Sequence, residues 1–368
     1  MQSESVSRRR QVGLVLAVFV AAAGMIWAYH DSIFLAAVVL AVSLVWSSRE
    51  WKAWLVAAML LASGLFWSSI DVRGCSAWWK GRVMCEKAAG HFTYLDWPEI
   101  VRWVASPCYT FDEPDPKVAE SIRLLDEQRI DGRKRELFAT NLGNFWLPAP
   151  GRELLTWLIW EMTVQKDYES EGVGVRPGDM VLDCGAHVGV FTRFALRRGA
   201  AQVVAIEPDP TNLACLEENF ANEISDGRVR VVRAGVWDHE TTLTLFHVEE
   251  ANSGMQGFVG EAEKTSGIPG IPVRPLDVIV RELELDRVDF IKMDIEGSEA
   301  RALLGAKETL ARFRPKMAIC SYHNRDDVIV IPRIAKAAQP AYQIQAKDID
   351  TAETHPGIEL RTKVLFFH

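Results

Sequence analysis

Three short segments gather the residues able to do chemistry. The first, Asp183-Cys184-Gly185-Ala186-His187-Val188-Gly189, follows the apolar run 180–182. The second, Glu207-Pro208, follows the run 203–206, and the third, Asp294-Ile295-Glu296-Gly297, follows the run 288–293. Gly185 lets a turn come up to a ligand with no Cβ in the way. Gly189 allows close packing where the next helix begins, and that helix's first amides face the ligand. Glu207, with Pro208 beside it, stands where a carboxylate accepts hydrogen bonds from two ribose hydroxyls. Asp294 is the candidate for orienting an acceptor hydroxyl or taking its proton. His187 and His323 are rival bases, because an imidazole titrates nearer neutrality. Glu296 and Tyr322 fall on the acceptor side of the same edge, although Glu296 and Glu299 equally suit partners of a helix N-terminus.

The head of the first segment separates two kinds of nucleotide site. A dinucleotide fold shares the strand, turn, helix and ribose acid, but its fingerprint is G-x-G-x-x-G, with glycines where a pyrophosphate approaches. Here the loop reads D-C-G-A-H-V-G. An acid is unfavourable beside a pyrophosphate and suits an ammonium group, such as that of the methionine part of S-adenosylmethionine. Asp183 is therefore the discriminating residue. After the run 229–232 come Ala234, Gly235 and Asp238, where an adenine ring would rest with Asp238 accepting from its amino group.

These segments require a scaffold that brings several strand ends to one edge. From residue 180 onward, short β-branched runs alternate with helical stretches, the pattern of a parallel sheet with crossover helices. The pattern predicts strands at 180–182, 203–206, 229–232, 288–293 and 317–320, and helices at 190–198, 211–222 and 298–310. The expected fold is a doubly wound α/β sheet of about seven strands, on which ligands lie beyond the C-terminal strand ends near the switch point. Upstream, a helix at 118–128, a strand pair at 133–141 and 144–148 joined through Leu142-Gly143, and a helix at 153–164 predict a small cap. The polar stretch 253–265 reads as a flap over the substrate.

Four features together resemble the FkbM-type methyltransferases, over about residues 144–368: Leu182-Asp183-Cys184-Gly185-Ala186-His187-Val188-Gly189, Ala205-Ile206-Glu207-Pro208, Pro275-Leu276-Asp277, and Ile291-Lys292-Met293-Asp294-Ile295-Glu296-Gly297-Ser298-Glu299. The last is the most specific. The resemblance implies a class I methyltransferase (Rossmann-like) sheet, S-adenosylmethionine as cofactor, and O-methylation of hydroxyls on natural products or sugars. An N-methyltransferase is disfavoured, because the fourth strand ends in M-D-I-E-G and lacks an Asn/Asp-Pro-Pro-aromatic turn for a planar amine. The rival from another class is a membrane scaffold whose methyltransferase-like domain has no turnover.

Composition bounds the rest. In 368 residues the net charge is −8, which speaks against a polyanionic partner and so against nucleic acid. The six cysteines form no CxxC pair, and no His sits at metal-ligand spacing, so the sequence predicts no metal site. Cys184, Cys215 and Cys320 read as core residues, and Cys75 and Cys85 as a pair only outside the cytosol. After a tail at 1–11, apolar runs at 12–29, 33–48 and 53–70 read as a transmembrane region of two or three helices. Arg8-Arg9-Arg10 before the first run also fits a signal peptide, but the apolar run continues past its small residues. Residues 71–113 read as a juxtamembrane connector and 114–368 as the methyltransferase domain. This organisation predicts a multi-pass membrane protein with a cytoplasmic catalytic domain acting on a glycan, lipid-linked or other small-molecule acceptor.

Overall fold

Asp115 caps the first described helix by accepting from the Lys117 amide at 2.9 Å, with Pro116 in the first turn. The computed structural model describes residues 114–130, 132–247, 256–258, 267–324, 326–354 and 357–368, and all of them belong to one compact unit. That helix, α1 (Pro116–Ser121), is followed by β1 (Arg123–Ile130), β2 (Arg133–Thr140) and β3 (Gly143–Pro148), an antiparallel sheet in the order β1-β2-β3. The helix expected at 118–128 is therefore cut short. Only Ile122 of its apolar residues is buried, while Leu124 and Leu125 are exposed, so a longer helix would have had little core to join, and 123–130 pair with β2 instead. The strand pair on either side of Leu142 is as expected. The next helix, α2 (Arg152–Trp160), buries Leu155 and Ile159 and runs into a π-turn (Glu161–Gln165) that ends at left-handed Lys166.

The main sheet begins with β4 (Met180–Cys184), α3 (Val190–Arg197), β5 (Gln202–Ile206), α4 (Pro210–Asn219), α5 (Ala221–Ser225) and β6 (Val229–Val232). A smaller sheet of order β7-β10-β8-β9 follows, from β7 (Gly235–Val236), β8 (Thr241–His247), β9 (Gln256–Phe258) and β10 (Gly267–Arg274). Then come α6 (Leu276–Glu282), β11 (Phe290–Met293), α7 (Glu299–Leu304), α8 (Lys307–Phe313), β12 (Lys316–Ser321), α9 (Asp327–Ala338), β13 (Ile344–Thr354) and β14 (Gly357–Phe367). The seven-stranded order is β13-β14-β12-β11-β4-β5-β6, with β14 antiparallel to both its neighbours. The chain winds outward from β4 to β6 and returns on the other side of β4, which places the switch point between β4 and β11. This is the doubly wound α/β sheet of seven strands that was expected, made mixed by the antiparallel β14. The single helix expected at 298–310 is two helices, because Gly305 packs so closely that a Cβ there would lie 2.2 Å from the Trp237 carbonyl oxygen.

Strand parity divides the core. Val181, Val203, Phe290, Ala318 and Phe366 pack on the face that carries Phe191 of α3 and Leu155 of α2. Leu182, Val204, Ile291, Ile319 and Phe367 pack on the other, with Ile279, Leu303, Leu310 and Ile331. Cys184, Cys215 and Cys320 are buried and free. The apolar runs before residue 71, Cys75, Cys85 and most of the stretch expected as a flap lie outside the described residues. Among the described residues no helix is long and apolar enough to cross a membrane.

Candidate functional site

Beyond the C-terminal ends of β4, β5 and β11 lies an open cleft of about 520 Å³, a figure that includes the solvent in its mouth. Gly185 forms its floor with φ +78, and a Cβ there would stand 1.9 Å from the Asp294 carbonyl oxygen. Only glycine permits so close an approach of the β4 loop to the end of β11. Gly189, at φ +93 before α3, is not on the wall; its missing Cβ makes room for Phe220 and Leu216. Ala186 is also off the wall and packs among apolar side chains.

Glu207 is the buried acid of this pocket. It accepts from the His187 amide at 2.8 Å and the Asp209 amide at 2.9 Å, with Asn212 Nδ2 at 3.4 Å. Burial pushes its carboxyl up to about 7 against those hydrogen bonds. Pro208, Ala234 and the apolar Ile206, Val236 and Leu245 line the space beside it. His187 is on the wall with φ +51, and burial, aided by the Lys292 charge, lowers its imidazole to about 4. It is therefore neutral at physiological pH, too weak a base to take a hydroxyl proton readily.

Asp294 and Glu296 form the opposite wall. Tyr168 donates its hydroxyl hydrogen to Asp294 Oδ2 at 2.8 Å, and Asp294 Oδ1 has no hydrogen-bond partner. Burial would raise the Asp294 carboxyl, but the charges of Lys292 and His323 and the Tyr168 hydrogen bond hold it below its ordinary value, so it is a carboxylate at neutral pH. His323 lies behind this wall, outside the pocket. Its Nδ1 is 3.0 Å from Glu299 Oε1, and its Nε2 is 3.2 Å from Glu296 Oε2 and 3.6 Å from Asp294 Oδ1. Burial would lower its imidazole, but the surrounding negative charges, Glu299 first, hold it well above its ordinary range. The expectation of a free base at His323 is thereby corrected. Tyr322 also misses the pocket, with its ring against that of His323 at 4.2 Å.

Two cofactor expectations change for reasons of geometry. Asp183 does not face a ligand. It stands on the same face as Lys292, its partner in the β4–β11 register, where it accepts from Thr192 Oγ1 at 2.6 Å and lies 3.4 Å from Lys292 Nζ. Lys292 donates in turn to the Gly185 carbonyl at 2.8 Å, so Asp183 acts on the site by holding its loop. Asp238 is likewise outside the pocket, paired with Arg301 at 2.7 Å and His239 at 2.5 Å. The sequence showed no metal-ligand spacing, yet one atom each of Asp294, Glu299 and His323 lie within 4.8 Å of one another.

Sequence reasoning missed Tyr168, Lys292 and Asn219. A lysine inside an apolar strand was a legible signal for Lys292, which needs a buried partner. Asn219 bridges cap and loop, accepting from the Trp146 amide at 2.7 Å and donating to the Val188 carbonyl at 3.0 Å. No local pattern marked it or Tyr168.

Residues 183–339 match the family described as the Methyltransferase FkbM domain. The 31-O-demethyl-FK506 methyltransferase FkbM of Streptomyces tacrolimicus is 29% identical over 178 residues, covering 41% of this chain and 68% of that protein. The 2-O-methyltransferase NoeI of Sinorhizobium fredii is 27% identical over 154 residues, covering 38% of this chain and 62% of its own. Each match therefore spans part of both proteins. The crystal structure of methyltransferase FkbM from Methylobacillus flagellatus KT aligns with a TM-score of 0.37 at 23% identity, over 60% of this chain and 56% of that one.

Proposed function

Because residues 183–339 match the Methyltransferase FkbM domain, we propose that the protein is an S-adenosylmethionine-dependent O-methyltransferase. The observation that carries this reading is the pairing, across one pocket, of buried Glu207 at the end of β5 with the carboxylate of Asp294 at the end of β11. The residues fit the cofactor: Gly185 leaves a cradle that a Cβ would fill, Glu207 offers a buried carboxylate to the ribose hydroxyls, and Ile206, Val236 and Leu245 give an apolar wall to the adenine. When bound there, S-adenosylmethionine supplies an electrophilic methyl group. Asp294 orients the acceptor hydroxyl, and alignment of that oxygen at contact distance is the main catalytic contribution. Two O-methyltransferases among the relatives by printed name support oxygen as the acceptor atom.

The acceptor class is a hydroxyl of a glycan, lipid-linked intermediate or natural product. We assign the apolar runs before residue 71 to a membrane anchor and the domain to the cytoplasmic side, where S-adenosylmethionine is made; both assignments rest on the sequence alone. The test is calorimetric titration of the full-length protein with S-adenosylmethionine, beside Glu207→Ala and Asp294→Asn. Saturable binding that weakens about tenfold or more in Glu207→Ala and persists in Asp294→Asn supports the reading. A folded parent protein that binds no S-adenosylmethionine overturns it in favour of the non-catalytic scaffold.

A further inference from the structure

Three carboxylates converge on one imidazole beside the pocket, and the nearby Lys292 ammonium acts on Asp294 while paired with Asp183. Asp294, Glu296 and Glu299 surround His323, and both His323 and Glu299 are more than nine-tenths buried, with side chains 8% and 0% exposed. The contacts between them are close but poorly directed: neither ring nitrogen of His323 has a partner in hydrogen-bond geometry, and Glu299 Oε2 and Asp294 Oδ1 have none either. These orphaned atoms fall on the same three residues whose ligating atoms lie within 4.8 Å of one another. Buried polar atoms are ordinarily satisfied, so their gathering at one point marks a place for a group that all of them can bind.

We propose that Asp294, Glu299 and His323 form a site for one divalent cation of the manganese or zinc type, set behind the acceptor side of the pocket, with Glu296 as a neighbouring carboxylate. Two carboxylates and an imidazole are an ordinary donor set for such ions. A metal at about 2.1 Å from each donor requires donor pairs no more than about 4.2 Å apart, so the side chains close on it with a movement of less than about 1 Å. The Ile295 amide donates to Glu299 Oε1 at 2.9 Å and Tyr168 holds Asp294 Oδ2, which orients both carboxylates from behind. An imidazolium and a metal ion are alternative ways of neutralising the same acids.

The role of the ion rests on the O-methyltransferase reading. Asp294 lines the pocket, so a cation bound behind it would act through that carboxylate, fixing its orientation toward the acceptor hydroxyl. The transfer then balances: the O–H bond breaks with its proton going to solvent, and an O–CH3 bond forms as the methyl group leaves the sulfonium sulfur, which becomes a thioether.

Calorimetric titration of the full-length protein with MnCl2 and with ZnCl2, beside S-adenosylmethionine on the same preparation, tests the site. One metal ion bound per chain, weakened about tenfold or more in His323→Asn, is the expected result. Because His323 is buried and its variant is at risk of misfolding, Asp294→Asn is the second probe and weakens metal binding while the protein remains folded. A folded parent that takes up neither ion at about 1 mM, an affinity floor near −4 kcal/mol, overturns the site, as does unchanged affinity in Asp294→Asn. Uptake of S-adenosylmethionine without metal removes the cation site and leaves the methyltransferase reading intact. Uptake of metal without S-adenosylmethionine keeps the site and removes that reading.

Discussion

Tyr168 reaches across 126 positions of sequence to donate its phenolic hydrogen to Asp294 Oδ2 at 2.8 Å. It belongs to the segment before the matched domain, set there by the π-turn and left-handed Lys166 that end α2. Its ring is buried edge-on against Phe191 at 5.3 Å. The upstream segment therefore holds Asp294, which lines the pocket, without lining it itself.

Removing that hydroxyl raises the Asp294 carboxyl, since the hydrogen bond lowers it. In Tyr168→Phe the acidic limb of the pH–rate profile for methyl transfer moves to higher pH. The value of kcat falls about tenfold, while affinity for S-adenosylmethionine is unchanged. A uniform loss of both, with no displacement of the limb, would point to general loosening of the fold.

Gly185 tests the approach of loop to strand. Gly185→Ala introduces a Cβ 1.9 Å from the Asp294 carbonyl oxygen at φ +78, whereas at Gly132, with φ +79, an added Cβ meets nothing within 4 Å. The first substitution costs more than about 3 kcal/mol and the second about 1 kcal/mol. Denaturant unfolding of both variants separates the clash from the backbone strain common to them; equal losses would refute the close approach.

On the proposed function, cofactor affinity is expected to follow the Glu207 carboxyl, which burial raises to about 7. Ribose hydroxyls donate to the carboxylate, so binding favours the deprotonated form, and protonation increases as pH falls through that value. The dissociation constant for S-adenosylmethionine is expected to rise several-fold between about pH 8 and pH 6, and the trend to flatten in Glu207→Gln. Calorimetry at the two pH values reads both effects. A flat profile in the parent protein would place ribose recognition elsewhere.

The buried Asp183–Lys292 pair is a stability determinant. Burial acts to lower the Lys292 ammonium, yet the charges of Asp183 and Asp294 raise it to about 12. Lys292→Met strands the Asp183 carboxylate and costs about 3–5 kcal/mol. Asp183→Asn in the same chain returns part of that loss, and thermal melts of the single and double variants give the coupling directly. Strict additivity would mean that the two groups do not interact.

Much of this architecture was legible in the chain alone. The apolar runs that became β4, β5, β11 and β12 carry enough β-branched and apolar side chains to be buried on both faces, and that composition is a local property. The glycines at 185 and 189 announced a tight turn in the same way, because the backbone conformation they permit is their own. Glu207 and Asp294 were found because the residue that follows a strand has a fixed place at the sheet edge whatever its neighbours are.

Partnership was decided only by the tertiary structure. Asp183 belongs to Lys292 because β11 lies beside β4 in one register, and Asp238 belongs to Arg301; no spacing along the chain encodes either. His323 changed from candidate base to buried cation when α7 brought Glu299 beside it, and residues 123–130 became a strand because β2 offered hydrogen bonds. Local sequence sets what a residue can do. The neighbours supplied by distant segments set the charge it holds and the atom it faces, because electrostatic energy and hydrogen bonding depend on distances that folding alone creates.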